Sequence, residues 1–522
     1  MKKLPIDEQS FEKMREKGRL YIDKTRHIHR MTDQGTFYFL SRPRRFGKSL
    51  LVSTLKNLFQ GNKSLFTGLW IAEHGNWKWA EHPVIIIDFN KVSHDTPENM
   101  RTGLDILVAK TADNYGIDLD ASLLKERFSE LILGLHKKTE MPVVILIDEY
   151  DKPIIDHLGK GSAALEIAKA NRDIFKNFLG VLKGEDIAAA LGFVFITGVS
   201  KFSRASVFSD LNHLIDITMS EPYADMLGYT QNEIETCFKE YILKFAEKNR
   251  LTKTQALEKF RLQYNGYRFS ERDITVYNPF SVLRAFFDLK LKNYWFESGT
   301  PTFLVNLLKE KEYDLSMIEG MQVSEQIFGT YELDNLEPEA LLFQTGYVTI
   351  KDVNGRLYTL DYPNMEVKTS FLEFLLFSFS KGNRRQEASK FLLLSEYLQS
   401  EKFDDFFETI TSVFGSIPYT LNTQRDEAYF HTIFYLMVSA SGADAKSEIL
   451  TSRGRIDLVV EFHDKIFIIE FKCDQSADKA IKQIQDKGYA ERYKQTGKKL
   501  FLIGINFSSE KRNIAQWNKV DG

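Results

Sequence analysis

The stretch from residue 36 to residue 59 constrains the fold of this 522-residue chain more than any other. An apolar, β-rich run, Thr36 to Leu40, leads into the loop Ser41-Arg42-Pro43-Arg44-Arg45-Phe46-Gly47-Lys48-Ser49, which is followed by an amphipathic run, Leu50 to Phe59. A strand, a loop ending in Gly-Lys-Ser and a helix are the context of a phosphate-binding P-loop. In such a loop, backbone N–H groups at the start of the helix face phosphate oxygens. The stretch therefore predicts a nucleotide-binding α/β core.

The loop supplies most of the predicted cofactor-binding residues. Lys48 is expected to neutralise phosphate charge, and Ser49 is expected to coordinate Mg²⁺. The general pattern, G-x-x-x-x-G-K-[ST], has its first glycine at position 42, where this chain has Arg42. The arginine charges of the loop could reach a nucleotide phosphate, an acidic surface of a neighbouring subunit, or nucleic acid. The predicted cofactor-binding residues of the loop are Arg44, Arg45, Phe46, Gly47, Lys48 and Ser49.

Length and composition indicate a multidomain globular protein. The chain exceeds what one hydrophobic core serves, and its 43% hydrophobic and 27% charged residues are close to the globular average. The formal net charge of −3 limits a nucleic-acid site to a local basic patch. Cys237 and Cys473, far apart in sequence, argue against a disulfide framework and fit a reducing compartment. Without an apolar run typical of a signal peptide or membrane span, a cytoplasmic protein with no membrane partner is expected.

A second motif complements the loop. In Val143-Val144-Ile145-Leu146-Ile147-Asp148-Glu149-Tyr150-Asp151, five apolar residues end abruptly in the carboxylates Asp148 and Glu149. This pattern is expected of a Walker B strand, in which Asp148 would hold the Mg²⁺ shell and Glu149 would orient or deprotonate the attacking water. The alternative is a buried strand ending in a solvated acidic turn. The preceding P-loop favours the ATPase interpretation.

Further nucleotide contacts are expected around the same sheet. A third apolar run, Leu191 to Ile196, ends at Thr197, which either senses the γ-phosphate or caps the following turn. Arg204 is the best placed cation downstream for stabilising transition-state charge, within the chain or in a neighbouring subunit. Upstream, Tyr21 and Asp23 either line the nucleotide site or belong to an ordinary surface turn.

Three strings carry a family resemblance. Arg42-Pro43-Arg44-Arg45-Phe46-Gly47-Lys48-Ser49-Leu50, Leu146-Ile147-Asp148-Glu149-Tyr150-Asp151 and Tyr264-Asn265-Gly266-Tyr267-Arg268-Phe269 resemble those of the AAA-ATPase-like proteins widespread in anaerobic bacteria. In that family Arg-Pro-Arg-Arg-Phe-Gly-Lys-Ser is the usual form of the loop, so Arg42 is a family trait. The resemblance runs nearly end to end and implies ATP and Mg²⁺ as cofactors. It is compatible with a homo-oligomer, because ATPases of this broad class often place sites between subunits.

The middle of the chain is expected to hold a helical lid and then a winged-helix-like linker. Amphipathic runs between residues 229 and 263 are typical of lid helices. Asn278 is positioned to cap a helix starting at Pro279, and the nearby aromatic segments are expected to pack rather than to catalyse. Asn354-Gly355, between two alternating runs, predicts a β-hairpin. The linker either binds DNA or docks against the ATPase.

Near the C-terminus, two apolar runs predict a hairpin that brings carboxylates together. The runs Gly454 to Phe462 and Lys465 to Lys472 flank a two-residue turn, so opposed residue numbers sum to 927. Asp457 then faces Glu470, with Cβ atoms about 5 Å apart. Lys472, two residues beyond Glu470, projects from the same face. Two carboxylates at that separation repel unless a cation lies between them. A bulge at the turn would shift the pairing by one residue.

Asp, then Glu-x-Lys on the next strand, resembles the PD-(D/E)XK nuclease pattern. Such a site uses Mg²⁺, bound here by Asp457 and Glu470, to activate water and to stabilise the leaving oxygen. Lys472 would orient the nucleophile or balance charge. A surface hairpin with cross-strand charge pairs is the alternative, but charges that interrupt apolar strands are costly without a ligand.

The nuclease resemblance adds residues on two predicted helices. It makes Glu427, one turn from His431, an extra metal ligand. It also implies a Gln/Tyr element like that of RecB-like nucleases, formed by Tyr489 with Gln483 or Gln485. From residue 479 to the end, ten Lys or Arg oppose four Asp or Glu, which could follow a phosphate backbone or form a solvated helix face.

Together the motifs predict a P-loop ATPase coupled to an Mg²⁺-dependent nuclease, with nucleic acid, DNA above RNA, as partner. The rival is an ATP-dependent switch or scaffold whose nuclease-like domain binds nucleic acid or a partner without cutting. Predicted domains are an AAA-type ATPase core over 1–225, a helical lid over 226–300, a winged-helix-like linker over 301–380 and a restriction-endonuclease-like α/β domain over 381–522. Predicted catalytic residues are Glu149, Asp457, Glu470, Lys472 and Gln483. Predicted metal ligands are Ser49, Asp148, Glu427, Asp457 and Glu470.

Overall fold

A computed structural model describes residues 1–201, 213–297, 302–311, 313, 318–329, 333, 336–379, 393–416, 427–451 and 454–522. The chain forms two compact units. The first comprises residues 1–308 and 323–358, and the second comprises 309–322 and 359–522. The finer division at residues 225, 300 and 380 stays a prediction.

The first unit contains a five-stranded parallel sheet, which confirms the predicted α/β class. Its strands are β1 (Phe37–Ser41), β2 (Val84–Asp88), β3 (Val143–Asp148), β4 (Leu191–Gly198) and β5 (Ile215–Asp216). Their order is β2-β3-β4-β1-β5. Leu40 of β1 lies beside Thr197 of β4, and Asp88 of β2 lies beside Asp148 of β3. The ends of the predicted apolar runs therefore meet at one edge of the sheet.

The strand sequences explain why this sheet is buried on both faces. All six residues of β3, Val-Val-Ile-Leu-Ile-Asp, are buried. Runs of aliphatic, largely β-branched side chains suit a parallel sheet that is covered by helices. One hydrophobic core joins the strands to the helices Pro97–Tyr115, Leu124–Thr139 and Ser162–Leu179. Ligands of such sheets bind at the carboxyl ends of the strands, where the loop and the acidic motif lie.

The later part of the first unit is helical and then turn-rich, and residues 323–358 pack against the sheet domain. Asn278 caps the helix Pro279–Asp288 by accepting a hydrogen bond from the Ser281 N–H at 3.1 Å, as predicted. Beyond it, the Gln344 amide oxygen accepts from the Lys201 N–H at 2.6 Å. The Lys201 ammonium in turn donates to the Phe328 carbonyl at 3.0 Å. These contacts show that residues 328 and 344 of the predicted linker dock against the ATPase core, and DNA binding by the linker stays a prediction.

Several short strands lie in the chain after the strands of the first sheet and before those of the second. The predicted hairpin is present, but its turn is one residue later than predicted: the strands Thr349–Asn354 and Leu357–Asp361 leave Gly355 and Arg356 as the turn, and Gly355 is left-handed with φ of 62°. The first of these strands begins and ends later than the run expected from the sequence, Tyr347 to Ile350. The short strands are β6 (Tyr267–Arg268), β7 (Thr275–Val276), β8 (Met321–Ser324), β9 (Thr349–Asn354) and β10 (Leu357–Asp361).

The second unit contains a five-stranded mixed sheet. Its strands, in spatial order, are β11 (Asp444–Thr451), β12 (Gly454–Glu461), β13 (Lys465–Cys473), β14 (Lys499–Ser508) and β15 (Asn513–Asp521). β12 and β13 pair from Leu458↔Ile469 to Glu461↔Ile466, so opposed numbers sum to 927 as predicted. The Phe462 N–H donates to the Lys465 carbonyl at 2.8 Å and closes the two-residue turn. β13 and β14 are parallel, and the helix Ala477–Asp486 lies between them in the chain.

Helices surround both sheets. Among the described residues, no helix has the length and apolar character needed to cross a membrane. The α-helices of the first unit are Phe11–Glu16, Thr25–Gln34, Lys48–Phe59, Trp70–His74, Pro97–Tyr115, Leu124–Thr139, Lys152–Ile155, Ser162–Leu179, Glu185–Ala190, Gln231–Cys237, Lys239–Lys248, Lys253–Tyr264, Pro279–Asp288, Tyr294–Glu297 and Pro338–Thr345. Thr302–Glu310 ends where the second unit begins, and the second unit has Met365–Phe379, Phe403–Ser416, Glu427–Ala440 and Ala477–Asp486.

Candidate active sites

The loop after β1 has the backbone shape of an anion-binding turn. Arg45 and Gly47 are left-handed, with φ of 69° and 92°, a conformation that is uncommon for a residue with a side chain. The helix Lys48–Phe59 begins directly after Gly47, and no side chain caps its first turn. The N–H groups of that turn are therefore placed to bind an anion together with the positive end of the helix.

Lys48 is folded back onto its own loop. Its ammonium donates to the carbonyls of Arg42 and Pro43, at 3.0 and 3.1 Å. Burial lowers the pKa of Lys48, whereas the charges of Glu149 and Asp148 raise it. The lysine therefore occupies the centre of the loop, within electrostatic range of the acidic motif at the end of β3.

Asp148 has an oxygen that no protein group satisfies. The Ser49 hydroxyl hydrogen-bonds the Asp148 carboxylate, but the buried Oδ1 atom has no partner among the described residues. Burial raises the pKa of Asp148 to about 6. An unpaired buried carboxylate oxygen is costly unless a cation neutralises it. Ser49 and Asp148 therefore fit the hydroxyl and carboxylate ligands of an Mg²⁺ ion.

The two later carboxylates of the acidic motif have different environments. Glu149, half-buried, has a left-handed backbone with φ of 52°, a strained conformation of a kind that clusters at functional sites. Asp151 is fully buried, and its Oδ2 atom accepts from the Val199 N–H, the Ser200 N–H and the Ser200 hydroxyl, at 2.7 to 3.0 Å. Asp151 thus ties the motif to the segment after β4. Sequence reasoning assigned it no role, although it belongs to the quoted string.

Arg42 and Phe46 are buried and pack against other residues of the first unit. The Arg42 guanidinium donates to the carbonyls of Thr218 and Tyr223, at 2.7 and 3.2 Å, and lies 4.2 Å from the Phe269 ring centre. Burial lowers the pKa of Arg42 to about 9. Phe46 packs edge-on against Phe269 and Tyr267. The aromatic string of residues 264–269 therefore holds the phosphate loop, which agrees with the packing role expected for it.

The remaining arginines of the loop are exposed. The Arg45 guanidinium lies 4.8 Å from the ring centre of Phe280, and the Arg44 carbonyl accepts a hydrogen bond from the Trp295 indole at 3.0 Å. Of the three arginine charges in the loop, the structure leaves these two at the surface.

The structure describes the predicted nucleotide contact Thr197 but not Arg204. Thr197 is buried at the end of β4, where its hydroxyl donates to the Leu40 carbonyl at 2.7 Å. Its hydrogen bond is therefore used between neighbouring strands, and a role as γ-phosphate sensor stays a prediction. Arg204 lies outside the described residues.

A cavity of about 80 Å³ opens beside the loop. Gly47 and Phe46 form one wall, and apolar residues such as Met226 and Leu20 form much of the rest. Tyr21 lines the cavity, and its role in binding a nucleotide stays a prediction. Asp23 does not line it, because its carboxylate accepts from the N–H groups of Thr25 and Trp70.

In the second unit, the hairpin brings the predicted carboxylates to one place. Asp457 accepts a hydrogen bond from the Phe471 N–H at 2.8 Å, directly beyond the last paired residues of β12 and β13. Glu470 is only 1% exposed, and its Oε2 atom has no partner among the described residues. Burial, and next the charge of Asp457, raise the pKa of Glu470 to about 8. Burial also raises the pKa of Asp457.

Lys472 lies beside this pair. Its ammonium is 3.5 Å from Glu470 Oε1 and donates to the Phe471 carbonyl at 2.6 Å. Glu427, at the start of the helix Glu427–Ala440, is 3.9 Å from the same ammonium, but it is 43% exposed and accepts from the Cys473 N–H at 3.1 Å. Glu427 therefore lies near Asp457 and Glu470, but its carboxylate is bound to the Cys473 N–H.

The structure distinguishes the two candidate glutamines. The Gln483 amide donates to Glu470 Oε1, and the same side chain hydrogen-bonds the Tyr489 hydroxyl. Gln485 is exposed. Tyr489 is buried and donates to the Arg455 carbonyl at 2.8 Å, although it lies in a short 3-10 turn beyond the predicted helix.

The chemistry of this pair fits a divalent cation. Glu470 Oε2 is a buried carboxyl oxygen that has no hydrogen-bond partner in the described part of the chain, and Asp457 lies beside it. Oxygen ligands of this kind suit Mg²⁺, which keeps several waters and takes few protein carboxylates. No group of three His, Cys, Asp or Glu side chains is arranged to hold a metal within the described ranges. The protein ligands at hand are therefore a pair of carboxylates.

Comparison with known proteins agrees with both sites. Residues 5–208 match a family described as a predicted AAA-ATPase, and residues 425–517 match the PD-(D/E)XK nuclease superfamily. A protein of Azotobacter chroococcum mcd 1, described as an uncharacterized protein in the vnfD 5′ region, is 37% identical over 528 residues, which covers 98% of each chain. The chain belongs to the AAA-ATPase-like family. The resemblance carried by the three sequence strings is thereby confirmed.

The AAA-ATPase-like chain also has polar residues beside its nuclease-like site that sequence reasoning missed. Glu448 of β11 lies opposite Asp457, because Ser447↔Leu458 and Ile449↔Ile456 are the flanking pairs. His431, buried, donates from Nε2 to the Asp457 carbonyl at 3.0 Å and has Nδ1 3.5 Å from Glu448. Strand β11 carries no strong apolar alternation, so only its register with β12 could have revealed Glu448.

Proposed function

We propose that this AAA-ATPase-like protein binds and hydrolyses ATP and couples that activity to Mg²⁺-dependent cleavage of phosphodiester bonds in nucleic acid. One observation carries the proposal. Each unit holds a buried carboxylate, Asp148 or Glu470, with an oxygen unpaired within the described residues, close to a lysine. Such a pairing of unmet negative charge and a nearby ammonium suits metal-assisted reactions of phosphate groups.

In the proposed ATP site, Lys48 leaves the carbonyls of its own loop and binds the β- and γ-phosphates. Bound Mg²⁺ would neutralise charge on the phosphates, with Ser49 and Asp148 as its protein ligands. Glu149 would orient or deprotonate the attacking water. Arg44 and Arg45 would contact phosphate from the surface, and Thr197 and Arg204 keep their predicted roles near the γ-phosphate.

The cavity beside the loop supports adenine as the base. Among its described lining residues, Lys24 is the only charged one, and the Lys24 ammonium is already paired with Glu233 at 2.6 Å. Guanine presents N–H donors that a carboxylate would accept, and within the described part of the chain no Asp or Glu lines this cavity. The apolar walls and Tyr21 would instead enclose the flat faces of a purine.

In the proposed nuclease site, Asp457 and Glu470 would hold Mg²⁺, with Glu427 moving in as a further ligand. The cation would lower the pKa of a bound water and stabilise the leaving oxygen. Lys472 orients the water or balances the charge of the phosphate. Gln483 holds the Glu470 carboxyl in place through the hydrogen bond from its amide. DNA is the first substrate to test.

The rival function, an ATP-controlled switch that binds nucleic acid without cutting it, is favoured by one observation. Within the described ranges, three acidic or histidine side chains do not converge on a metal position, because Glu427 is bound to the Cys473 N–H. If Glu427 stays there, the site has two carboxylates and a lysine but too few metal ligands for efficient phosphodiester cleavage.

Metal-dependent cleavage separates the two functions. The full chain is incubated with supercoiled plasmid and labelled oligonucleotides, with Mg²⁺ or with EDTA, beside Asp457→Ala and Lys472→Ala. The proposal expects cleavage by the wild type with Mg²⁺ alone and a loss of at least about a hundredfold in both variants. Equal cleavage by all three proteins would mean that a contaminant cuts. Nucleic-acid binding without cleavage by the wild type would establish the switch.

A further inference from the structure

Arg455 presents a cation on the catalytic side of β12 that the proposed chemistry does not use. Side chains alternate along a strand, so Arg455 and Asp457, two residues apart, project from the same face. The burial pattern agrees, since Arg455 is exposed, Ile456 is buried and Asp457 is half-buried. Arg455 is therefore at the site of the carboxylate pair.

Glu448 holds the Arg455 side chain from the neighbouring strand. Its carboxylate pairs with the Arg455 Nε atom, and it lies opposite Asp457 in the register of β11 and β12. Glu448 is also 3.5 Å from His431, whose other ring nitrogen binds the Asp457 carbonyl. The guanidinium is thereby fixed relative to the Asp457 backbone, although 57% of the Arg455 side chain is exposed.

The backbone of Arg455 is fixed as well. The Tyr489 hydroxyl donates to the Arg455 carbonyl at 2.8 Å. A Cβ atom on Gly454 would lie 2.7 Å from that hydroxyl oxygen, and Gly454 has φ of 154°, so only glycine allows this approach. A tyrosine that also hydrogen-bonds Gln483 thus links Arg455 to the residue that holds Glu470.

Stability does not explain this arrangement. An exposed ion pair such as that of Arg455 and Glu448 contributes about 0 to 1 kcal/mol. The surroundings are acidic, since Glu427, Asp457 and Glu470 lie around the ammonium of Lys472 and Glu448 lies opposite Asp457 on the next strand. A polyanionic substrate needs positive charge to approach such a surface. Guanidinium is the side-chain group whose planar fork matches a phosphate.

We propose that Arg455 binds a backbone phosphate of the nucleic acid next to the scissile bond, and that Glu448 positions its guanidinium for this contact. The proposal rests on the proposed nuclease function. It makes Arg455 a substrate-binding residue, whose contact is the same in the ground state and the transition state. Removing it should therefore raise KM and leave kcat nearly unchanged.

Salt-dependent binding tests the contact without relying on cleavage. The anisotropy of a fluorescein-labelled 20-base-pair duplex, and of a single strand of the same length, is measured in EDTA from 50 to 300 mM salt. The proteins are full-length wild type, Arg455→Ala, Arg455→Lys, Glu448→Gln and Arg261→Ala. Arg261 is a matched control, an exposed arginine that is likewise paired with a neighbouring carboxylate, that of Glu258.

The phosphate contact predicts three results. Arg455→Ala binds the duplex about tenfold more weakly at 50 mM salt, and its plot of log K against log salt is shallower by about 0.9, or about 0.7 for the single strand. Arg455→Lys keeps the slope and loses part of the affinity, because lysine keeps the charge but not the fork. Glu448→Gln keeps the slope and raises KM in the cleavage assay, and Arg261→Ala matches the wild type.

The failures of the two proposals differ. If the wild type binds neither probe in EDTA nor cuts plasmid with Mg²⁺, the nuclease function is wrong and the Arg455 contact is lost with it. If the wild type binds but Arg455→Ala has the wild-type slope and affinity, the contact alone is wrong. A fall in kcat with unchanged KM in Arg455→Ala would likewise contradict a substrate-binding role.

Discussion

The buried carboxyl of Glu470 makes the second unit sensitive to pH in a way that a metal should relieve. Glu470→Gln removes the charge and keeps the shape of the side chain. In the wild type, burial and the neighbouring Asp457 raise the pKa of Glu470 to about 8, from an ordinary value of 4.5. The folded state therefore binds a proton between about pH 4.5 and pH 8 that the unfolded state has released.

The sign and the size of the effect follow from that difference. Because the folded pKa is the higher one, the free energy of unfolding falls as pH rises through this window. Between pH 5 and pH 8 the loss from Glu470 is about 3 to 4 kcal/mol in the absence of metal, since each full pH unit contributes up to about 1.4 kcal/mol. Glu470→Gln lacks this loss. Mg²⁺ at ten times its Kd restores about 1.4 kcal/mol to the wild type and nothing to the variant.

Hydrogen exchange measures this unit without interference from the other. Exchange of peptides that cover Lys465–Cys473 is followed by mass spectrometry at pH 5, 6.5 and 8, with Mg²⁺ or EDTA, and corrected for the intrinsic rates. We expect the opening free energy of the wild type to fall with pH in EDTA, and that of Glu470→Gln to stay level. Parallel losses in both proteins, or an equal response to Mg²⁺, would refute the reasoning.

Further substitutions test other contacts. Lys48→Ala should weaken binding of a fluorescent ATP analogue at least about tenfold, because the loop loses its phosphate-binding charge. Lys56→Ala in the same helix should not weaken it, and equal affinities of Lys48→Ala and the wild type would contradict the phosphate-binding role of the loop. Arg42→Ala should lower the opening free energy of β1 by about 3 kcal/mol in hydrogen exchange, since buried carbonyls lose their donor, and a change under about 0.5 kcal/mol would contradict this. Gln483→Ala should slow cleavage about tenfold and Gln485→Ala should not; the reverse order would exchange their roles.

The parts of the fold that could be predicted are those with local causes. The apolar runs of β1, β3 and β4 are bounded by turns and lie within one or two residues of their observed limits. The register of β12 and β13 could be predicted because a two-residue turn leaves one pairing, and the alternation of apolar residues agrees with it. That register also placed Asp457 beside Glu470.

The rest depends on contacts that sequence spacing does not encode. Arg42 is bound by the carbonyls of Thr218 and Tyr223, about 180 residues away, so its burial could not be read from the loop. Phe46 was predicted to bind cofactor on its place in the motif, and its ring packs against Tyr267 and Phe269. Both side chains shape the loop from behind.

The residues around the nuclease-like site could not be predicted from the sequence either. Glu448 reaches Asp457 only because β11 pairs with β12, and neither the existence nor the register of β11 has a strong sequence signal. The choice between Gln483 and Gln485 needed the direction of the helix Ala477–Asp486, which buries one face against the sheet and exposes Gln485. Register and helix rotation are tertiary properties, set by packing.

The coupling of the two sites is tested most directly by the rate of plasmid cleavage with and without ATP. Wild type, Lys48→Ala, Glu149→Gln and Lys472→Ala are compared at one Mg²⁺ concentration. The account predicts that ATP changes the wild-type rate, that Lys48→Ala cuts at a rate independent of ATP, and that Glu149→Gln responds to ATP binding without turnover. Cleavage that depends on Lys472 but is identical with and without ATP in the wild type would contradict it.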